Sequence, residues 1–192
     1  MNFMLPDFKI TGLQQISQKF ISKNILSFSK AAEFILHLPY GRNANKNDLL
    51  AVFTDGCGTC GTKHALLKTL ALENNFADLK LIMAIVKMNA KNTPEVKNTL
   101  EKNGLTYIPE AHNYLKYYNK IHDYTKPNFG STKEPGNILE ELEILPEQIT
   151  DFKVAYHKNF LQNWLSKNPQ IKLTLNELWI IREQCIQDLG NK

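Results

Sequence analysis

Cysteine is scarce in this sequence, and the chain has neither a long apolar run nor a cluster of like charges. Its 192 residues include three cysteines, too few for the disulfide framework of a small secreted domain. No window approaches the eighteen consecutive apolar residues of a membrane-spanning helix. The net charge of +4 is spread thinly, and no five-residue block is mainly basic. We therefore expect no membrane and no nucleic acid among the partners of this protein.

The length and the first residues set expectations for domain number and location. A chain of 192 residues can bury a sizeable core as one unit, so we predict a single domain over residues 1–192. The starting segment MNFMLPDFKITG lacks the charged and apolar regions of a signal peptide. Two of the cysteines lie three residues apart, which suits chemistry in a reducing compartment. The cytoplasm is therefore the expected location.

The apolar periodicity predicts helices, then strands, then helices, which is the layout of an α+β domain. Near the start, Thr11 is expected to cap a helix that carries Leu13, Ile16 and Phe20. The segment 49–53 is too short to assign to a helix or a strand. The other predicted elements are a helix over about 60–73, a strand over 79–86, a short helix over 92–104, a β-hairpin over 108–125, and C-terminal helices over about 138–190, one of them beginning at Pro146.

The segment DGCGTCGTKHALL, residues 55–67, suggests a nucleophilic cysteine. Cys60 falls at the predicted N-terminus of a helix, where the helix dipole and unpaired backbone N–H groups favour a thiolate over a thiol. The same N–H groups can stabilise the oxyanion that forms when a thiolate attacks a carbonyl carbon. Gly58 and Gly61 leave room for a substrate to approach. Such a cysteine also needs a base and a third group that orients the base.

Three alternatives compete with this hypothesis. Cys57 and Cys60 form a C-x-x-C pair, which is typical of thioredoxin-like oxidoreductases if residues 49–53 form a strand. A metal site would need two more ligands, for which His64 and His112 are the candidates. In the plainest alternative, the cysteines are small buried residues and the glycine-rich turn has no function.

The base and its orienting residue are expected on the hairpin. His112 falls on the first strand and Asp123 on the second. A loop over 117–120 that pairs residue 114 with Asp123 makes the two side chains diagonal neighbours on one face. The hairpin therefore predicts a His112–Asp123 pair.

The sequence also predicts roles for His64 and Cys185. His64 lies one helical turn after Cys60 and is a rival base, although a neighbour at i+4 has a poor line to a first-turn side chain. Cys185 lies on the apolar side of the last predicted helix, so we expect it in the core.

The order cysteine, histidine, aspartate on helix, strand and next strand resembles the transglutaminase-like, papain-like superfamily of cysteine enzymes. The segments that carry the resemblance are GTCGTKHALL, IPEAHNYL and DYT. Together with LPYGRN and MNAKNTPEV, they resemble a bacterial family of transglutaminase-like proteins of unassigned function. The resemblance covers residues 38–125 well and the C-terminal helices loosely. It implies a nucleophile helix packed on an antiparallel sheet, with helical flanks at both ends.

The resemblance also implies an activity. Cys60 would be the nucleophile, His112 the base and Asp123 the orienting residue, and residues 48–54 would form a short helix. The implied reaction is acyl transfer or amide hydrolysis on a peptide, amide or small-molecule acyl substrate, with no cofactor and no metal. The alternatives are a thiol-disulfide oxidoreductase that uses Cys57 and Cys60, and an inactive binding module of the same fold. Further residues expected to line the cleft or contribute to the oxyanion site are Gly61, Gly58, Glu110, Arg42 and His64.

Overall fold

The computed structural model describes residues 5, 7–127, 129–130 and 136–190. Its elements show a mixed α+β fold, as predicted. The helices are α1 (Gln15–Ser22), α2 (Phe28–His37), α3 (Ala51–Thr54), α4 (Cys60–Glu73), α5 (Lys97–Lys102), α6 (Asp151–Lys167) and α7 (Leu175–Gly190), and the strands are β1 (Lys80–Met88), β2 (Ile108–Tyr117), β3 (Lys120–His122) and β4 (Ile138–Glu143). Two 3₁₀ segments, Pro94–Val96 and Pro146–Ile149, precede α5 and α6.

The strands form one antiparallel sheet in the order β3-β2-β1-β4. The central strands β1 and β2 are buried along most of their length, whereas β4 at the edge is mostly exposed. The prediction that residues 138–143 belong to the C-terminal helices was wrong, because they form β4. An exposed edge strand carries little apolar alternation, and the glutamates of ILEELE hide its period.

The hairpin of β2 and β3 has the predicted pairing register but not the predicted loop over 117–120, because Tyr117 and Lys120 pair with each other. Its pairs are Leu115↔His122, Lys116↔Ile121 and Tyr117↔Lys120. The turn between the strands is tight, with Tyr118 in the left-handed region at φ 47°. The prediction that Asp123 lies on the second strand was wrong, because β3 ends at His122. Asp123 follows it in a turn in which its carboxylate accepts from the N–H of Thr125 at 3.0 Å.

The start of α1 differs from the prediction. The helix begins at Gln15 and is not capped by Thr11, and Leu13, which was expected on it, precedes it and is 88% exposed. The carboxylate of Glu73 accepts hydrogen bonds from the backbone N–H groups of Ile16 and Ser17, at 3.2 and 2.6 Å. A distant acidic side chain therefore satisfies the first N–H groups of α1, which removes the need for a local cap.

Helix α4 begins at Cys60 and ends at Glu73, as predicted. A capping box fixes its start: the Thr59 side chain accepts from the N–H of Thr62, and the Thr62 hydroxyl accepts from the N–H of Thr59. The helix contacts α1, α2 and the 3₁₀ segment Pro146–Ile149. Most of its side chains are buried as a result.

The chain folds into two compact units. The first unit comprises Met1–Met83, Asn113–Asn128 and Leu142–Ile149, and the second comprises Ala84–His112, Phe129–Glu141 and Thr150–Lys192. In the first unit the buried ring of Phe20 packs against the half-buried rings of Phe34 and Phe53, with centroids 4.9–6.3 Å apart.

The second unit contains α5, α6 and α7, and it buries Leu178, Cys185 and Leu189 on α7. The expectation that Cys185 lies in the core is confirmed, since it is 0% exposed.

No described helix is both long and apolar enough to cross a membrane. The helix predicted to begin at Pro146 instead begins at Asp151, after the 3₁₀ segment.

Candidate functional site

The segment before the glycine-rich loop is helical. Residues 51–54 form α3, and no part of 49–53 is in a strand. The thioredoxin-like alternative required a strand there, so the structure removes its basis. The short helix that the resemblance implied over 48–54 is present in its second half.

A side chain that was not predicted ties down the loop that leads to Cys60. The Asn43 carboxamide donates to the backbone carbonyl of Cys57 at 3.0 Å and to the carboxylate of Asp55 at 3.2 Å. Its oxygen accepts from the Thr62 hydroxyl at 2.7 Å. Asn43 therefore joins the loop and the first turn of α4. Its place in the segment LPYGRN was the one sequence signal that could have drawn attention to it.

Gly58 has a steric role rather than the open space that the sequence suggested. Its N–H donates to the carbonyl of Pro39, and its carbonyl accepts from the N–H of Gly41, so two loop segments run side by side. A Cβ at position 58 would lie 2.9 Å from the Lys63 Cγ. At Gly61, by contrast, a Cβ would meet its nearest neighbours at ordinary contact distances of 3.6 Å.

The three cysteines have different surroundings. Cys60 is the first residue of α4 and is 7% exposed. Burial, followed by the charge of Asp55, raises the pKa of the Cys57 thiol, which lies 3.9 Å from the carbonyl of Arg42. Burial raises the pKa of the Cys185 thiol to about 12. Arg42, which was expected to line the cleft, is an exposed residue. Cys60 is therefore the thiol whose position favours reactivity, because it lies at the positive end of a helix.

Both ring nitrogens of His64 are used by the backbone. Its Nε2 accepts from the N–H of Tyr124 at 2.7 Å, and its Nδ1 lies 2.7 Å from the carbonyl of Cys60. Since an N–H can only donate, Nε2 carries no proton, and Nδ1 donates to the carbonyl. The ring is thus held as a neutral tautomer and is 0% exposed. This arrangement leaves His64 poorly suited to act as the base for the Cys60 thiol.

Asp123 lies close to this histidine. One oxygen, Oδ1, is 3.7 Å from the His64 Nε2, and the same oxygen accepts from the N–H of Thr125 at 3.0 Å. The Asp123 side chain is 8% exposed. Its carboxylate is therefore held at the end of β3 beside α4.

Lys63 is a second site residue that was not predicted. Its side chain is 0% exposed, and its Nζ donates to the carbonyls of Leu38 and Thr125 at 2.6 and 2.7 Å. Burial lowers the pKa of the Lys63 amine to about 8, against the opposing charges of Asp123, Cys57 and Cys60. The sequence signal that could have drawn attention to it was a lysine in the predicted helix that begins at Cys60.

His112 lies on the part of β2 that belongs to the second unit. It is 3% exposed, and its ring packs against Phe129 with centroids 5.0 Å apart. Glu110, expected to line a cleft, has both carboxylate oxygens bound by Arg182 of α7, with a 2.7 Å hydrogen bond from Nε to Oε2. Glu110 therefore anchors the strand to a helix.

The structure thus brings three of the predicted site residues together: Cys60, His64 and Asp123 lie in the first unit and around α4. His112 belongs to the second unit, and its pairing with Cys60 and Asp123 stays a prediction. Within the described ranges, no three His, Cys, Asp or Glu side chains are arranged to hold a metal ion.

Comparison with known proteins does not identify the family. No protein-family model matches the chain, and no curated protein or solved structure is significantly similar to it. The resemblance to transglutaminase-like enzymes therefore stays a prediction.

Proposed function

We propose that this protein is a transglutaminase-like cysteine enzyme that transfers or hydrolyses an acyl group through Cys60, His112 and Asp123. The observation that carries the proposal is the place of Cys60 as the first residue of α4, behind a loop fixed by Asn43 and Thr62. A helix N-terminus supplies the positive field and the N–H donors that a thiolate and an oxyanion need. The substrate is a peptide, an amide or a small acyl compound, and the cytoplasm is the proposed setting.

The reaction follows the logic of a cysteine–histidine–carboxylate triad. The thiolate of Cys60 attacks the carbonyl carbon, and backbone N–H groups of the first helical turn stabilise the oxyanion. His112, protonated after taking the thiol proton, gives that proton to the leaving amine or alcohol, and a thioester forms. Water or an acceptor amine then attacks the thioester, and His112 takes its proton. The C–S bond breaks, which releases the acid or new amide and restores the Cys60 thiolate beside protonated His112. Asp123 orients the imidazole and stabilises its charged form.

The surroundings of the other candidate groups support this assignment. His64 already uses both ring nitrogens for backbone hydrogen bonds, which leaves the role of base to another histidine. The raised pKa of Cys57 is opposite to the lowered value of a reactive thiol in a redox C-x-x-C pair.

One observation favours a second candidate, an inactive binding module of the same fold. Cys60 and His112 are only 7% and 3% exposed, so a substrate carbonyl reaches the thiol only if neighbouring groups move aside. The two candidates differ in the reactivity of Cys60, which a direct experiment measures.

The test is alkylation of the reduced protein with iodoacetamide from about pH 5 to about pH 9, with the labelled cysteine located by mass spectrometry. Rapid labelling of Cys60 at the acidic end, lost in His112→Gln and kept in Cys57→Ser, supports the triad. A Cys60 thiol that titrates near ~8.5, like free cysteine, contradicts the enzyme and leaves the binding module. Rapid labelling of Cys57 rather than Cys60 at the acidic end contradicts both and points to the redox pair. Slow labelling of the half-buried Cys57 with Cys60 unlabelled is the result expected of the binding module.

A further inference from the structure

Two consecutive side chains of α4 hold three consecutive residues that follow β3. Lys63 donates to the carbonyl of Thr125 at 2.7 Å, and His64 accepts from the N–H of Tyr124 at 2.7 Å. The N–H of Thr125 in turn donates to Asp123 at 3.0 Å. The backbone of this segment is therefore fixed from both sides, by α4 and by the carboxylate itself.

Each of these side chains also donates to a backbone carbonyl outside this segment. The Nδ1 of His64 donates to the carbonyl of Cys60 at 2.7 Å, and Lys63 donates to the carbonyl of Leu38 at 2.6 Å. His64 thus links the residue proposed as nucleophile directly to the segment that carries Asp123. A helix and a turn joined in this way keep one geometry, because the two side chains that make the links are 0% exposed.

Burial of a lysine and a histidine here is costly for packing alone. Both side chains are 0% exposed, and an apolar residue of similar size fills such space without desolvating a polar group. What the polar pair adds is a defined position for the backbone of 123–125. The Asp123 Oδ1 accepts from the N–H of Thr125 at 3.0 Å and lies 3.7 Å from the His64 Nε2, so its position depends on that backbone.

We propose that Lys63 and His64 are positioning residues, which hold the Asp123 carboxylate at a fixed place relative to Cys60. The proposal rests on the proposed function, in which Asp123 orients the base. Neither residue touches the reacting atoms in this role. They act through the segment that carries the carboxylate.

Two substitutions at position 64 separate the two hydrogen bonds of the histidine. In His64→Asn the shorter amide reaches the Nδ1 position and keeps the bond to Cys60, but it loses the acceptor for Tyr124. In His64→Gln the amide oxygen reaches the Nε2 position and keeps that acceptor. Lys63→Met removes both lysine bonds at nearly constant volume, and it tests the lysine contacts separately from His64.

The first measurement is hydrogen exchange at the N–H groups of Tyr124 and Thr125, followed by NMR. We expect exchange about tenfold faster at both in His64→Asn, and wild-type protection in His64→Gln. Lys63→Met is expected to speed exchange at Thr125 to a similar extent. Wild-type protection of Thr125 in both His64→Asn and Lys63→Met overturns the proposal, because the carboxylate then holds its turn unaided.

The second measurement is the pH profile of Cys60 alkylation. His64→Asn should shift the profile in the same direction as Asp123→Asn, and the double variant should shift it no further than Asp123→Asn alone. A His64→Asn shift that persists in full in the Asp123→Asn background overturns the proposal, because His64 then acts by another route. Rescue of the profile by His64→Gln supports it.

The two measurements distinguish failure of this proposal from failure of the proposed function. If wild-type Cys60 shows no reactivity at acidic pH and Asp123→Asn changes nothing, the triad is wrong. The exchange rates at Tyr124 and Thr125 still decide whether the two α4 side chains fix the segment. If Cys60 is reactive and depends on Asp123 but not on His64 or Lys63, the triad stands and the positioning role is overturned.

Discussion

The hydroxyl of Thr62 donates a 2.7 Å hydrogen bond to the carboxamide oxygen of Asn43. This contact connects the first turn of α4 with a loop nineteen positions earlier in the chain. The same carboxamide holds the carbonyl of Cys57. The place of Cys60 therefore depends on a side chain outside the cysteine motif.

We predict that Asn43→Ala destabilises the protein and disturbs the start of α4. The substitution leaves the Thr62 hydroxyl and the Cys57 carbonyl without their partner, which costs about 1–3 kcal/mol of unfolding free energy. Urea unfolding measures the loss, and the rate of Cys60 alkylation reports the local change. Asn43→Asp is the comparison variant: it keeps the acceptor for Thr62, loses the donor to Cys57, and adds a negative charge beside the Asp55 carboxylate. Equal stability of Asn43→Ala and wild type contradicts the prediction.

A second prediction concerns a buried hydroxyl with no partner among the described residues, the Oγ1 of Thr125. Thr125 is 1% exposed, so its hydroxyl loses water without gaining a hydrogen bond. Thr125→Val has the same shape and should raise the unfolding free energy by about 1 kcal/mol. Thr62→Val is the control of opposite sign, since the Thr62 hydroxyl is hydrogen-bonded. Thermal unfolding of both variants decides, and a destabilised Thr125→Val refutes the argument.

The elements that the sequence predicted well are those fixed by neighbouring residues. Helix α4 starts where Thr59 and Thr62 cap each other. The two residues are three positions apart, so the interaction that fixes this helix start is local in the sequence. The start of α1 was missed because the group that satisfies it, Glu73, lies 57 positions from Ile16. Edge strand β4 was missed because its exposed glutamates conceal a strand period.

The candidate site divides in the same way. The place of Cys60 at a helix start follows from local chemistry, and the sequence predicted it. Lys63 acts on Thr125, 62 positions away, and no local pattern announces that contact. The tautomer of His64 likewise depends on Tyr124, 60 positions away. Roles that depend on a distant backbone group required the structure.

A third prediction follows from the pKa of Lys63, lowered to about 8 in the folded protein. The unfolded chain holds this proton up to about pH 10.4, so between these values the unfolded state binds more protons and folding stability rises with pH. The gain is up to roughly 3 kcal/mol. Unfolding free energies of wild type and Lys63→Met, measured from about pH 7 to about pH 10.5, test this. The difference between the two proteins should change in favour of wild type as the pH rises, and a constant difference contradicts it.

A fourth prediction compares the two glycines that flank Cys60. A Cβ at Gly58 would lie 2.9 Å from the Lys63 Cγ and 3.0 Å from the Thr62 Oγ1, both buried and held in place. Gly58→Ala should therefore cost about 1–3 kcal/mol of unfolding free energy. A Cβ at Gly61 would meet its neighbours at 3.6 Å, so Gly61→Ala should fold normally and keep Cys60 labelling. Denaturant midpoints compare the two, and equal costs would show that the close contact at Gly58 is relieved by movement.

The last prediction concerns the buried ion pair of Glu110 and Arg182 in the second unit. Burial raises the pKa of the Glu110 carboxyl, but the charge of Arg182, helped by His157 and Lys153 and by a hydrogen bond, leaves it below its usual value. A lowered folded pKa stabilises the protein above the unfolded value of about 4.3, and this contribution disappears as the pH falls through the folded value. Glu110→Gln should cost about 3 kcal/mol at neutral pH, because the buried Arg182 loses one of its two carboxylate partners and keeps only Glu183. On acidification its stability should fall less steeply than that of wild type.

The double variant Glu110→Leu/Arg182→Met should recover much of the loss, since it removes both charges. Urea unfolding at neutral and acidic pH measures all three proteins, and a Glu110→Gln variant as stable as wild type at neutral pH would show that the pair contributes nothing to folding.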